Sequence, residues 1–269
     1  MKEAKVVDIE NNEKGKVKIP SQFSEEIRPD LIKRAYITLM SHTRQRYGAT
    51  PMAGKRASAI VSRQRHDYRG AYGLGISRVP RKIMSRRGTR MNWVGAFAPG
   101  TVGGRRAHPP KAEKIWWQKI NRKERKKAIR SAMAATLDKE IVSKRGHIIG
   151  ENYPIIVDSS FEDIQKTKQV EQMLVKMGFE NELSRCSKKK IRAGVGKTRG
   201  RKYKQKKGPL FVVSKSCKLI KAAANIPGVD VCEVKNVNVR LLAPGTVPGR
   251  LTVWSKAAIE IIEKEKLFL

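Results

Sequence analysis

Hydrophobic positions along the 269-residue chain come in short periodic bursts, separated by two long stretches that keep no period. Val6, Val7 and Ile9, the Asn11-Asn12 pair, then Val17 and Ile19 give the pattern of a strand or hairpin. Leu31, Ile32, Ala35, Tyr36, Leu39 and Met40 recur at helical spacing behind Pro29, a residue suited to a first helical position, so a helix with one core face is predicted. A second helix is predicted from near Arg122. Asn121 and Glu124 stand at capping-box spacing, and Ala128, Ile129, Ala132, Met133, Thr136 and Leu137 line one face. Pro154 to Asp158 is an apolar run closed by Asp-Ser-Ser, with Ile164, Met173, Leu174, Met177 and Gly178 behind it, and reads as strand, N-cap, helix and C-cap. Leu210 to Val213 reads as a buried strand, Ser214 to Ala224 as a short helix, Val229 to Val239 as one or two strands, and a last helix starts near Ser255. Strands alternating with helices predict an α/β fold: a mostly parallel sheet flanked by helices, interrupted by a long internal basic arm lacking regular structure.

The interruptions carry the charge. From Thr43 to Pro110 Gly, Pro and Arg dominate, a connection of roughly 65 residues where loops seldom exceed about 15. Between Asp67 and Glu113 there is no acid, while Arg69, Arg78, Arg81, Lys82, Arg86, Arg87, Arg90, Arg105 and Arg106 follow one another among glycines. Arg44, Arg46, Lys55, Arg56, Arg63 and Arg65 precede them. Such a segment repels itself, cannot build a core, and calls for a dense polyanion. A second acid-free stretch separates Glu182 from Asp230 and includes Arg192, Lys197, Arg199, Arg201 and Lys202. The predicted organisation is a globular body from residues 1–42 and 108–269, an extended arm over 43–107, and a basic loop over 185–209 within the body. The whole chain holds 59 Lys and Arg against 24 Asp and Glu, a formal charge of +35, far beyond what solubility needs. Tyr68, Tyr72, Trp93 and Phe97 interleave with the arm's arginines, as rings that stack on unpaired bases would, whereas Trp116 and Trp117 are assigned to packing against the body.

Other chemistry finds little purchase. Gly194 to Thr198 resembles the end of a phosphate-binding P-loop, but the motif needs a glycine where Ile191 stands and a buried strand where Cys186 to Lys190 is polar and basic. The glycines instead let backbone amides and nearby cations approach phosphates. No nucleophile elbow, zinc-binding helix or dinucleotide fingerprint is present, and Asp158, Ser159 and Ser160 read as helix caps. Cys186, Cys217 and Cys232 at wide spacing suggest free thiols, and neither metal nor cofactor is called for. The opening residues show no leader pattern and no window is apolar enough for a membrane span, so a cytoplasmic protein is expected. A DNA-compacting protein and a nucleotide-dependent enzyme are the competing classes. Ala98-Pro-Gly-Thr-Val-Gly-Gly-Arg105 returns as Ala243-Pro-Gly-Thr-Val-Pro-Gly-Arg250, two turns that each end on an arginine; one reading is a phosphate contact at Arg250 as at Arg105, the other a chance recurrence too short to count as an internal repeat.

Three runs in order carry a resemblance. Gly103 to Pro110 (GGRRAHPP), Arg192 to Tyr203 (RAGVGKTRGRKY), and Asn236 through Ala243-Pro244-Gly245 to Trp254 together resemble the ribosomal large-subunit protein four family. The Ala-His-Pro-Pro form is similar to its archaeal and eukaryotic branch, and the chain lacks the long basic C-terminal extension of eukaryotic members. The resemblance spans nearly the whole chain. It implies a structural, non-enzymatic constituent of the large ribosomal subunit: an α/β body, with an arm that penetrates large-subunit rRNA and lines the nascent-peptide exit tunnel. It adds His108 to the RNA-binding candidates, places the arm's tip within Tyr68 to Trp93, and makes Arg69, Tyr72, Arg78, Met91 and Trp93 the tunnel-lining candidates. The implied partners are large-subunit rRNA, neighbouring large-subunit proteins and the nascent peptide.

Overall fold

The computed structural model describes residues 3–150 and 152–269. In chain order the elements are β1 (Glu3–Val7), β2 (Glu13–Lys18), α1 (Pro29–His42), β3 (Arg81–Arg87), β4 (Arg90–Gly95), α2 (Arg122–Leu137), α3 (Lys139–Lys144), β5 (Ile155–Val157), α4 (Thr167–Lys176), α5 (Glu180–Ser187), β6 (Lys190–Ile191), β7 (Tyr203–Lys204), β8 (Leu210–Val213), α6 (Lys218–Ala223), β9 (Asp230–Glu233), α7 (Val239–Leu242), β10 (Thr252–Ser255) and α8 (Lys256–Lys264). The chain divides into two compact units, one running up to Thr43 and resuming at Trp117, the other Arg44–Trp116.

The first unit is built on a six-stranded sheet in the order β2-β1-β5-β10-β8-β9. Only the β1–β2 edge pair is antiparallel; the other pairs are parallel, in registers such as Val6 with Ile156 and Trp254 with both Ile156 and Val212. Alternation sends successive residues to opposite faces. Val6, Ile156, Val212 and Trp254 join one apolar cluster with Ile32 and Ala35 of α1, Ala132 and Met133 of α2, and Ile259 and Ile262 of α8. Val7, Val157, Phe211, Val213 and Val253 join a second with Val142 of α3, Met173 and Leu174 of α4, and Leu219 and Ala223 of α6. Helices thus cover both faces, which is why β5, β8 and β10 are buried throughout rather than alternating. Edge-to-face ring pairs reinforce each layer: Phe23 with Trp254 at 5.0 Å and Phe161 with Phe211 at 5.2 Å between centroids.

The structure departs from the sequence reading in local detail. The capping box does not form: the Asn121 side chain makes no cap hydrogen bond, and Glu124 pairs with Arg34 of α1 at 2.8 Å. Of the one or two strands read over Val229 to Val239, the structure forms one, β9, as that reading allowed. After β9 the chain turns through Val234–Asn236 into α7, where the Asn238 side chain accepts the Leu241 N–H at 3.1 Å. The Asp158 side chain caps no helix; it faces Lys14 at 3.3 Å.

The second unit is irregular for most of its length but contains a hairpin. β3 and β4 pair antiparallel from Arg81 with Gly95 to Arg87 with Arg90, around a two-residue turn in which Gly88 has φ 58°. Its alternation is hidden in the sequence because apolar Met84 and Val94 are exposed along with the cations, and Ile83, Met91 and Trp93 are only half-buried.

Candidate nucleic-acid interface

Between Arg44 and Trp116 the chain places seventeen Lys and Arg against two acids, Asp67 and Glu113. Arg44, Arg46, Lys55, Arg56, Arg63, Arg65, Arg78, Lys82, Arg86, Arg87, Arg90, Arg106 and His108 are exposed, and Arg69 and Arg105 partly so. Arg81 is different. It is buried, donates to the Ser77 carbonyl at 2.5 Å and lies 5.3 Å from the Trp93 ring centroid, so it supports the hairpin from within instead of facing a phosphate. At the base of the unit Arg44 sits over Trp116 at 4.5 Å, Tyr47 lies 4.9 Å from the same indole, and the Ala49 N–H reaches the Pro110 carbonyl at 2.9 Å. Trp116 therefore packs within this unit, and Trp117, part of the body unit, is half exposed. Trp117 keeps the expected contact, its ring 6.4 Å from that of His42 in α1, whereas Trp116 departs from the packing expected of it.

Asp67, the one acid between Asp30 and Glu113, is spent internally: one carboxylate oxygen accepts the Tyr68 N–H at 2.8 Å and the other the Ser62 hydroxyl at 2.5 Å. These bonds fix a turn. Around that turn the structure brings together three of the five tunnel-lining candidates, since Arg69, Met91 and Trp93 line one hollow. The other two pair with each other, Arg78 lying over Tyr72 at 4.4 Å.

On the body, the second acid-free stretch closes into a small loop. β6 and β7 pair Lys190 with Lys204 and Ile191 with Tyr203, and Arg192 Nε donates to the Arg201 carbonyl at 3.1 Å. Lys197, Arg199, Arg201 and Lys202 point outward, and Arg192 is half-buried. β6 is exposed and two residues long, and a 3-10 turn (Val195–Lys197) follows it, which is not the buried strand, loop and helix of a nucleotide-binding P-loop.

The loop's neck is held by groups that the sequence did not single out. Buried Glu182 accepts from His147 Nδ1 at 2.7 Å, the Ile148 N–H at 3.1 Å and Arg185 at 2.5 and 2.7 Å. Arg185 also donates to the Lys207 carbonyl at 2.8 Å, across the neck. Asp230 takes Lys207 Nζ at 2.9 Å and Arg250 at 2.6 Å. Burial works against the Glu182 charge, but His147, Arg185 and the Ile148 amide outweigh it and hold its carboxyl below the ordinary range; burial pushes the His147 imidazole down as well. The legible signal was positional. Glu182 and Asp230 are the acids that bound the acid-free stretch, and both clamp it.

Arg250 corrects the sequence reading. It is fully buried, and its guanidinium donates to the carbonyls of Gly208 at 2.9 Å and Leu241 at 3.0 Å as well as to Asp230. It binds the protein's own backbone and offers nothing to a surface phosphate. The two octets consequently share a turn but not a role, since Arg105 is partly exposed.

An α/β body with two cation-rich, acid-poor extensions has the charge distribution of a polyanion-binding protein. Among the described residues no helix is long and apolar enough to cross a membrane, and no group of three or more His, Cys, Asp and Glu could hold a metal ion. The model of the ribosomal protein L4/L1 family matches residues 17–265. The chain is 50% identical to the large ribosomal subunit protein uL4 of Nanoarchaeum equitans, covering 99% of each. It is 46% identical to that of Methanocaldococcus jannaschii over 92% of this chain and 93% of the relative, and 43% identical to that of Archaeoglobus fulgidus over 96% and 97%. The chain belongs to the ribosomal protein L4/L1 family, in its archaeal type. Its role is structural and not enzymatic.

Proposed function

We propose that the protein is built into the large ribosomal subunit, where it binds large-subunit rRNA through the arm of residues 43–107 and the basic loop of 185–209. The body serves as the anchor. The exposed cations of both segments replace counterions along the RNA backbone, and the arm's tip lines the nascent-peptide exit tunnel with Arg69, Tyr72, Arg78, Met91 and Trp93 as its candidates. In this reading the arm ties rRNA segments together during assembly, and neighbouring large-subunit proteins and the nascent peptide are its other partners. The observation that carries it is the seventeen cations between Arg44 and Trp116, nearly all displayed outward, against two acids, one of which is consumed inside a turn.

Replacing Thr43 to Ala107 by a short linker tests this reading. The expected product keeps the body's circular dichroism but loses most of its affinity for large-subunit rRNA; unchanged affinity sinks the assignment. Equal binding of the intact chain to duplex DNA and structured RNA at one salt concentration would favour a DNA-compacting role instead.

A further inference from the structure

A hollow of about 550 Å³ opens in the arm unit between Leu74, Ile76, Met91, Trp93, Arg69 and Arg90. We infer that it receives a single unstacked RNA nucleobase, its face against Trp93 and its edge toward Arg69, with Arg90 on the adjoining phosphate. That takes Arg69, Met91 and Trp93 out of the tunnel-lining set and leaves it to Tyr72 and Arg78. The inference rests on the rRNA reading above and names the ligand of one part of that surface.

Three features point to a base. The walls are apolar and aromatic, yet Leu74 is 60% exposed in the free chain, a cost that a stacked planar ligand removes. The indole of Trp93 cannot easily fold away, because Arg81 lies over it and is itself held by Ser77. Arg69 Nε is shielded from solvent and has no acceptor among the described residues. An unmet buried donor is costly, and a base edge supplies oxygen and nitrogen acceptors that would satisfy it.

The hollow is also built in advance. His66 and Arg69 both have φ 61°, a left-handed conformation that non-glycine residues rarely hold and that the surrounding bonds impose. Asp67 anchors the turn through Tyr68 and Ser62, and the Gly70 N–H closes it on the Asp67 carbonyl at 3.0 Å. The charge of the occupant follows from the rim. Arg69 and Arg90 stand there with Arg86 and Arg87 close along the hairpin, and Asp67, the one acid lining the hollow, is already engaged. That complement suits a phosphate-bearing ligand better than an apolar peptide side chain.

The test uses the full-length chain and full-length large-subunit rRNA. Trp93→Ala is expected to weaken binding about 5- to 150-fold, the range of one missing base stack, with the salt dependence unchanged because every phosphate-binding cation stays in place. Trp93→Phe should recover most of the loss. Ultraviolet cross-linking of assembled large subunits should join Trp93, Tyr68 or Met91 to one rRNA nucleotide. Wild-type affinity for Trp93→Ala, or an equal loss for the Phe variant, overturns the pocket. A Trp93 cross-link to a nascent chain instead of RNA also overturns it while leaving the tunnel reading intact. Failure of the unaltered chain to bind the rRNA at all would bring down the underlying reading with it.

Discussion

The Arg250 guanidinium lies 2.6 Å from the Asp230 carboxylate with no part of the arginine exposed, and the pair joins the neck of the basic loop to the sheet. Asp230 opens β9, and Arg250 stands two residues before β10, separated from its partner by the whole of α7. The same guanidinium reaches Gly208, next to β8. One side chain therefore ties together the ends of three strands.

Arg250→Ala removes one partner of a buried pair and orphans several carbonyls. The expected cost is about 3–5 kcal/mol, or roughly 6–20 °C in Tm for a unit of this size, measured by thermal circular dichroism. Arg250→Lys should recover only part, since an ammonium cannot reach Gly208, Leu241 and Asp230 together. A variant as stable as the parent would contradict the clamp.

Stability should fall on mild acidification. The His147 imidazole is held below its ordinary 6.5 by burial, so the unfolded chain binds more protons as pH drops through that value, and stability present above it is lost below. The lowered Glu182 and Asp230 carboxyls add a second loss as pH falls below about 4.5. The groups facing His147 are Glu182, Arg185 and Arg145. A Tm series from pH 8 to pH 4 should show both steps, and His147→Gln should flatten the first. A His147→Gln profile that matches the parent's would remove this explanation.

Gly104 and Gly249 occupy the same place in the two octets, one residue before the arginine, and neither has room for a Cβ. At Gly104 it would lie 2.2 Å from the Ala98 carbonyl oxygen; at Gly249, where φ is 85°, it would lie 3.0 Å from Ile141 backbone atoms and 2.6 Å from its side chain. Gly249→Ala is expected to cost about 1–3 kcal/mol in thermal unfolding. Gly104→Ala should instead leave the body's Tm unchanged and raise trypsin cleavage within the arm. Equal cleavage rates would count against the close approach.

Arg86, Arg87 and Arg90 surround the hairpin turn with no acid near them in sequence. Changing all three to Ala should lower the slope of log affinity for large-subunit rRNA against log salt by about 2–3, close to one unit for each phosphate no longer neutralised. Filter binding between low and moderate salt measures it. An unchanged slope would place these arginines away from the backbone.

Charge and periodicity belong to the sequence alone, and they determined most of this protein's character. The acid-free stretches, the body split around an arm, and the alternation of strands with helices are readable because like charges repel and because each element buries one face whatever its partner. Boundaries and pairings needed the third dimension. β10 is four residues, buried on both faces and without alternation, so Thr252–Ser255 gave no strand signal of its own. Val237-Asn238-Val239 alternates like a strand, yet the chain turns into a helix there because Asn238 caps α7. Glu124 stands where a capping box wants it and is drawn off by Arg34 from another helix. The two octet arginines are nearly identical in local sequence; only the approach of Asp230, Gly208 and Leu241, all distant along the chain or across a turn, makes one a buried tie while the other stays partly exposed. Local sequence says what a side chain can bond, and tertiary packing decides which partner arrives and whether water remains.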